Sequence, residues 1–146
     1  MATFTASACQ ASASGFFLNP PKVNYEGMNV RGAHFTFPAA QSAGDVIQMV
    51  PVPRGALIHD VVLNTAGMGG AQVTANVGDG NSANRYFGSV STGAATQPHA
   101  TNGAGYSYSA DDTIDITIGT ATSASAGVSI YLVVTYSMDN SGDGTS

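Results

Sequence analysis

Residues 111–138, DDTIDITIGTATSASAGVSIYLVVTYSM, hold the longest unbroken alternation in the chain. Ile114, Ile116 and Ile118 alternate with Thr113, Asp115 and Thr117. After a link of small residues, Val128, Ile130, Leu132, Val134, Tyr136 and Met138 alternate with Ser129, Tyr131, Val133, Thr135 and Ser137. Successive side chains of a strand point to opposite faces, so each run gathers one apolar row and predicts a strand. The link from Gly119 to Gly127 contains only Gly, Ala, Ser and Thr. It reads as a hairpin connection or a short irregular loop, which makes the two strands an antiparallel pair. On its nominally outer face the second strand carries Tyr131 and Val133, where a face wet by solvent would be polar. Either this strand is central and covered on both sides, or its outer face meets another subunit.

The same pattern recurs upstream. RGAHFTFPAA places Phe35 and Phe37 on one face and His34 and Thr36 on the other, and Pro38 stops it. VIQMVPV, Val46 to Val52, is a second strand. After a turn at Pro53, Arg54 and Gly55 comes a third, with Leu57, His59, Val61 and Leu63 facing opposite to Ile58, Asp60 and Val62. AQVTANV turns Val73, Ala75 and Val77 inward, Gly78 to Asn81 form a turn, and RYFGSV is a short fifth strand. The tract from Thr92 to Gly105 is too long for an ordinary connection in a compact domain, which makes it functional, disordered or ordered by a partner. The count is about eight strands at roughly 8 to 12 residue spacing with no convincing amphipathic helix. The predicted fold is an all-β antiparallel sandwich, jelly-roll-like, with an immunoglobulin-like sandwich as second choice.

Residues 1–29 read as an extended N-terminal arm, 30–138 as the sandwich and 139–146 as a loose polar tail. A short helix near Ala2 to Ser14 would be marginal alone, and Pro20 and Pro21 force an extended path. Phe16, Phe17, Leu18 and Tyr25 flank that path as anchors for a groove on the same molecule or on a neighbour.

Only 9% of the 146 residues are charged, against about 25% in an ordinary domain. The formal net charge is −5, from 4 Lys and Arg against 9 Asp and Glu, which argues against nucleic acid and anionic membrane as partners. A surface of Ser, Thr, Gly, Ala and Asn suits a protein much of whose exterior is covered by assembly. Cys9 is single and cannot close an intramolecular disulfide. No secretory signal and no apolar run long enough for a membrane span are evident, so assembly in a cytoplasm is expected.

Chemistry finds little support. No nucleophile elbow, zinc-protease motif or phosphate-binding loop is present, and His34, His59 and His99 are scattered along the chain. Asp79, Asn81 and Asn84 offer oxygen ligands at loop spacing, but a turn held by its own side chains explains them without a metal. Asp111 and Asp112 could pair as acid and base, yet adjacent strand residues point apart. Arg54, at a turn tip, is free to meet a partner, whereas Arg85 pairs most simply with Asp79. No enzyme, cofactor or metal is expected.

The Ala-rich arm, the strand-turn-strand unit DVIQMVPVPRGALIHDVVLNT, the following VTANVGDGNSANRYF and the terminal DDTIDITIGTATSASAGVSIYLVVTYS together resemble the small all-β head proteins of tailed bacteriophages that decorate or cement the capsid. The likeness covers about residues 30–138. It implies a homotrimeric structural virion protein on the capsid exterior, bridging neighbouring major capsid proteins and bringing no catalytic residues. In that setting Phe16, Phe17, Leu18, Tyr25 and Arg54 are the candidates for capsid contact, and Tyr131 and Val133 for the oligomer interface. The alternative is a receptor- or carbohydrate-binding module, such as a virion fibre head or adhesin, with Tyr86, Phe87, Tyr106 and Tyr108 stacking on sugar rings.

Overall fold

The computed structural model describes residues 2–6, 27–67, 73–120 and 127–138. They form eight strands: β1 (Thr3–Thr5), β2 (Met28–Thr36), β3 (Val46–Val52), β4 (Ala56–Thr65), β5 (Thr74–Asp79), β6 (Ser82–Ser91), β7 (Asp112–Ile118) and β8 (Ser129–Met138). A five-stranded sheet has the order β1-β3-β7-β5-β6 and a three-stranded sheet the order β2-β8-β4. All pairs are antiparallel except β1 with β3, which is parallel.

The antiparallel pairs are nested. β2 pairs with β8, β3 with β7, and β5 with β6. The missing member of the series is the tract after β6, which runs along the free edge of β4 through isolated bridges at Thr96, His99 and Ser107. Backbone N–H groups of Leu63 and Thr65 donate to Pro98 and Thr96, and those of Ala100, Gly105 and Tyr108 donate back to Val61, Ile58 and Ala56. First segment meets last, second meets next to last, and so inward; wrapped into two sheets, this is the jelly-roll arrangement expected from the sequence. The Thr92 to Gly105 tract is therefore an irregular strand ordered by its own chain. It covers an edge that would otherwise offer unpaired backbone groups to any passing strand.

Nesting also corrects the reading of the terminal stretch. β7 and β8 are not a hairpin: they lie in different sheets, β7 between β3 and β5, β8 between β2 and β4. Alternation says which face of a strand is buried and nothing about which strand lies beside it. The faces themselves are as expected. Ile114, Ile116 and Ile118 are buried, and so are Ile130, Leu132, Val134 and Tyr136. Each such side chain contributes about 1.5–3 kcal/mol on leaving water. Phe37, Val73, Ala75 and Val77 join them in one core between the sheets.

Two local readings change. The alternation of β4 is broken by a bulge between Ile58 and Asp60, so Ile58, Val61 and Leu63 all face the core and His59 turns outward. At the N-terminus, Thr3–Thr5 is a strand and not the start of a helix; the N–H of Ala2 donates to Asp45 Oδ1 at 2.8 Å and that of Ala6 to the carbonyl of Gln48 at 2.7 Å. Phe4 reaches across to Phe35 of the other sheet, ring centroids 5.7 Å apart.

The strap on β4 depends on one glycine. Gly103 has φ of +74°, and a Cβ there would lie 2.6 Å from Cδ1 of the fully buried Tyr86 ring. Gly103→Ala combines left-handed strain with a clash against a side chain that has nowhere to move. It should lower stability by about 1–3 kcal/mol, read as a drop in the urea midpoint; an unchanged midpoint would mean the strap adds nothing to the fold.

Candidate interaction surface

Two regions of the exterior are chemically distinct, one on each sheet. The outer face of the three-stranded sheet is built by the register. Ser129, Tyr131, Val133, Thr135 and Ser137 of β8 stand opposite Thr36, His34, Gly32, Val30 and Met28 of β2. On the other side, Val62 and Asn64 of β4 stand opposite Val133 and Tyr131. Met28, Val30 and Tyr131 are 52%, 66% and 48% exposed, and among the described residues they are the large hydrophobic side chains classed as exposed. All of them lie on this one face. Half-buried Val62 and Val133 fill its middle.

Charge is sparse here. His34 lies beside the Tyr131 ring with centroids 5.8 Å apart. His59 Nε2 is 2.8 Å from the Ser137 hydroxyl, and His99 Nδ1 is 2.8 Å from Asp60 Oδ2. The strand is central, as one reading had it, but it is not covered on both sides: its outer row is open, with Tyr131 among the exposed side chains. Sequence pattern marked Tyr131 and Val133. It did not mark Met28 and Val30 as their neighbours, because β2 pairs with β8 across some hundred residues of chain and nothing local records that pairing.

The second region is an acidic corner of the five-stranded sheet. Asp79 ends β5 with its side chain fully buried, and Arg85 of β6 forms the ion pair with it through Nε and Nη2. The N–H groups of Asn81 and Ser82 donate to Oδ1 at 3.0 and 2.9 Å, and the Tyr108 hydroxyl donates to Oδ2 at 3.0 Å. Tyr108 spends its single proton there, so the buried Tyr86 hydroxyl 2.8 Å away is the donor to it. Burial works to raise the pKa of Asp79, and the hydrogen bonds from Arg85, Tyr108, Asn81 and Ser82 outweigh it, holding the carboxyl below the usual range. Burial pushes both tyrosines up. Arg85 also lies 3.6 Å from the centroid of the Tyr106 ring.

These contacts consume the groups that other chemistries would need. Asp79 has no lone pair to spare for calcium, and Asn84 Oδ1 accepts from the Ser82 hydroxyl at 3.3 Å. Asp111 accepts the Arg54 N–H and Asp112 the Thr113 N–H, each at 2.8 Å, so the two carboxylates serve separate backbone donors and not a shared substrate. Among the described residues no group of three or more His, Cys, Asp and Glu could hold a metal ion. Tyr86, Phe87 and Tyr108 are buried, and the ring of Tyr106 already carries Arg85, so these four do not present an open aromatic platform for a sugar. Arg54 does lie at a turn, between β3 and β4, as expected. Phe16, Phe17, Leu18 and Tyr25 lie outside the described residues.

Solved structures share this arrangement. The fold is that of chains in phage capsids. A chain of the cyanophage Pam1 capsid asymmetric unit matches with TM-score 0.70 at 24% identity, over 88% of this chain and 97% of that one. A chain of the capsid of Ralstonia phage GP4 matches with TM-score 0.75 at 20% identity, over 95% and 99%. One from the acid-stable capsid of Helicobacter pylori bacteriophage KHP30 matches with TM-score 0.58 at 16% identity, over 77% and 89%. No family model and no curated protein matches the sequence. At these identities the likeness is one of architecture, and the outer face has to be read from its own residues.

Asp115, beside the acidic corner, carries a cost. Burial pushes its pKa up to about 6, Thr113 opposes this by a hydrogen bond, and Asp112 and Asp79 add to the rise. Its Oδ1 is buried without a hydrogen-bond partner. A raised folded-state pKa means stability that is full below the unfolded value of 3.8 and lost as pH rises through about 6. Asp115→Asn should therefore raise the melting temperature at pH 7.5 and change it much less at pH 4. Melting curves at the two pH values test this, and an equal effect at both would exclude ionisation as the cause.

Proposed function

We propose that this chain is a structural virion protein that binds the outer surface of a phage capsid as a homotrimer and cements neighbouring major capsid subunits. The observation that carries this reading is the gathering of Met28, Val30 and Tyr131 on one outer sheet face with Val62 and Val133 between them. Isolated exposed apolar residues are ordinary, whereas a contiguous patch marks a contact. The shared fold with three phage capsid chains supports the setting.

A second copy of the chain is the occupant of that face. Among its described residues Asp60 is the sole carboxylate and there is no Lys or Arg, since Arg31 belongs to the inward row of β2. Such a surface can meet its own copy without like-charge repulsion, as symmetric assembly requires. The side bearing Asp111, Asp112 and Asp115 cannot. In the trimer three such faces converge on the axis, leaving Arg54 and the arm residues Phe16, Phe17, Leu18 and Tyr25 for the capsid. Cementing then works by mass action, because a protein that binds the assembled lattice and not its separated parts adds to the cost of opening the shell. Trimeric attachment makes many weak contacts act together.

The mass of the full chain in solution, with two variants of neighbouring residues, tests the reading. Wild type should be a trimer and should co-sediment with capsid shells of the same virus that lack it. Tyr131→Asp places a charge in the contact and should give a folded monomer, whereas Ile130→Asp, one residue away and facing the core, should unfold the chain. A monomeric wild type, or a Tyr131→Asp protein that remains trimeric, would overturn the assignment of this face. Wild-type trimers that stay in the supernatant would overturn the cementing role.

A further inference from the structure

Among the asparagines of the chain, Asn102 alone is followed by glycine. It lies in the strap that edges β4 and is exposed. We propose that Asn102 is a site of spontaneous covalent modification: the backbone nitrogen of Gly103 attacks its side-chain amide, ammonia leaves, and the strap converts to a mixture of aspartate and isoaspartate at position 102. The inference does not depend on how copies of the chain meet one another or a capsid.

The attacking nitrogen has to be reachable, uncommitted and free to approach, and the strap provides each condition. Glycine has no Cβ to shield its nitrogen, whereas every other asparagine precedes a residue with a side chain. The carbonyl of Gly103 accepts the Tyr106 N–H at 3.0 Å, but among the described residues the Gly103 N–H donates to nothing and the Asn102 amide has no hydrogen bond to hold it away. The bonds that fix the strap to β4 flank the pair and spare it: Ala100 N–H donates to Val61 at 2.8 Å and Gly105 N–H to Ile58 at 2.7 Å. Between those anchors the strap passes the β4 bulge. Other candidates are restrained. Asn76 Oδ1 accepts the Ser89 N–H at 2.6 Å, and the N–H of Ser82, which follows Asn81, is committed to Asp79 at 2.9 Å. Asp79 also precedes a glycine, but Arg85, Tyr108 and two backbone donors hold its carboxylate.

Water and hydroxide are the only co-reactants. The Gly103 nitrogen gives its proton to hydroxide and bonds to Asn102 Cγ; the Cγ–Nδ2 bond breaks and Nδ2 departs as ammonia, leaving a cyclic imide. Water then opens the ring. Addition at Cγ gives aspartate with the backbone unchanged, and addition at the main-chain carbonyl carbon gives isoaspartate, whose backbone runs through the former side chain and is one methylene longer. Both products add a negative charge, and the second also disturbs packing. Gly103 lies so close to the buried Tyr86 ring that a Cβ would stand 2.6 Å from Cδ1. With Ala100 and Gly105 tied to β4, an added methylene either presses Gly103 into that ring or pulls an anchor from the edge. The Tyr86 hydroxyl bonds that of Tyr108, which bonds Asp79, so the acidic corner loosens with the strap.

Incubation of the folded full chain at pH 8.5 and 37 °C, followed by isoelectric focusing and mass mapping of the peptide that contains Asn102, tests the proposal. An acidic species should accumulate, faster at higher pH, and the peptide should resolve into two products of equal mass. Asn102→Gln, whose longer side chain has to close a larger ring, should slow the change at least about tenfold, equivalent to about 1.4 kcal/mol of barrier. The isoaspartate form, separated by ion exchange, should unfold at lower urea than Asn102→Asp, which carries the same charge on an unaltered backbone. A folded chain whose Asn102 stays intact, or acidic species that form equally fast in Asn102→Gln, would overturn the site. Equal urea midpoints for the isoaspartate form and Asn102→Asp would overturn its effect on the strap.

Discussion

The carboxylate of Asp79 is the point at which the two sheets are tied. It belongs to β5, its cation Arg85 to β6, and its other side-chain partner Tyr108 to the strap that completes the other sheet. A buried carboxylate without donors would cost several kcal/mol, so the site forms only when the hairpin, the strap and the Tyr86 to Tyr108 hydrogen bond are all in place. Packing repeats the same condition: Gly103 of the strap lies against the Tyr86 ring and Arg85 against that of Tyr106. The strap has no apolar alternation to hold it on β4. Its hold comes from backbone bonds along the β4 edge and from this one corner.

That dependence explains which parts of the fold could be read from the chain. Faces were legible, because alternation is a local property: the isoleucines of β7 and the inner row of β8 stand where their spacing put them. Partners were not. The small-residue link after Ile118 looks like a turn between neighbours, yet nesting sends β7 and β8 to opposite sheets. Two further departures have equally local causes. The bulge at His59 inserts one residue and reverses the parity of β4, and the strap pairs through only isolated bridges, so its sequence was free to look like a loop. The turn clasp of Asp79 with Arg85 was legible for the opposite reason, being closed within six residues.

The candidate surface divides along the same line. Tyr131 and Val133 announce themselves by standing in the polar row of a well-patterned strand. Met28 and Val30 do not, since at the start of β2 they alternate only with Asn29 and Arg31, and their meaning arises when Ser137 and Thr135 are set beside them. The three histidines are the extreme case: with 24 residues between the first pair and 39 between the second (59 − 34 − 1 and 99 − 59 − 1), they share a face only because β2, β4 and the strap all belong to one sheet.

Nesting also sorts charge. The strands on which Asp79, Asp112 and Asp115 lie, β5 and β7, are neighbours in the five-stranded sheet, and Asp111 directly precedes β7. The three-stranded sheet receives the histidines, Asp60 and the apolar row. A chain with net charge −5 and few basic residues repels itself wherever its carboxylates are displayed. Concentrating them on one side leaves the opposite side free of that repulsion, and there the exposed apolar side chains are found. Had Met28, Val30 and Tyr131 been spread over both sheets, each would have been an ordinary surface residue. Their confinement to the side without the acidic corner makes the face self-compatible, since desolvating it against a copy removes apolar area from water and brings few like charges together. On the other side Arg85 is already committed to Asp79, and the exposed Arg54 stands beside Asp111, to which its backbone N–H donates.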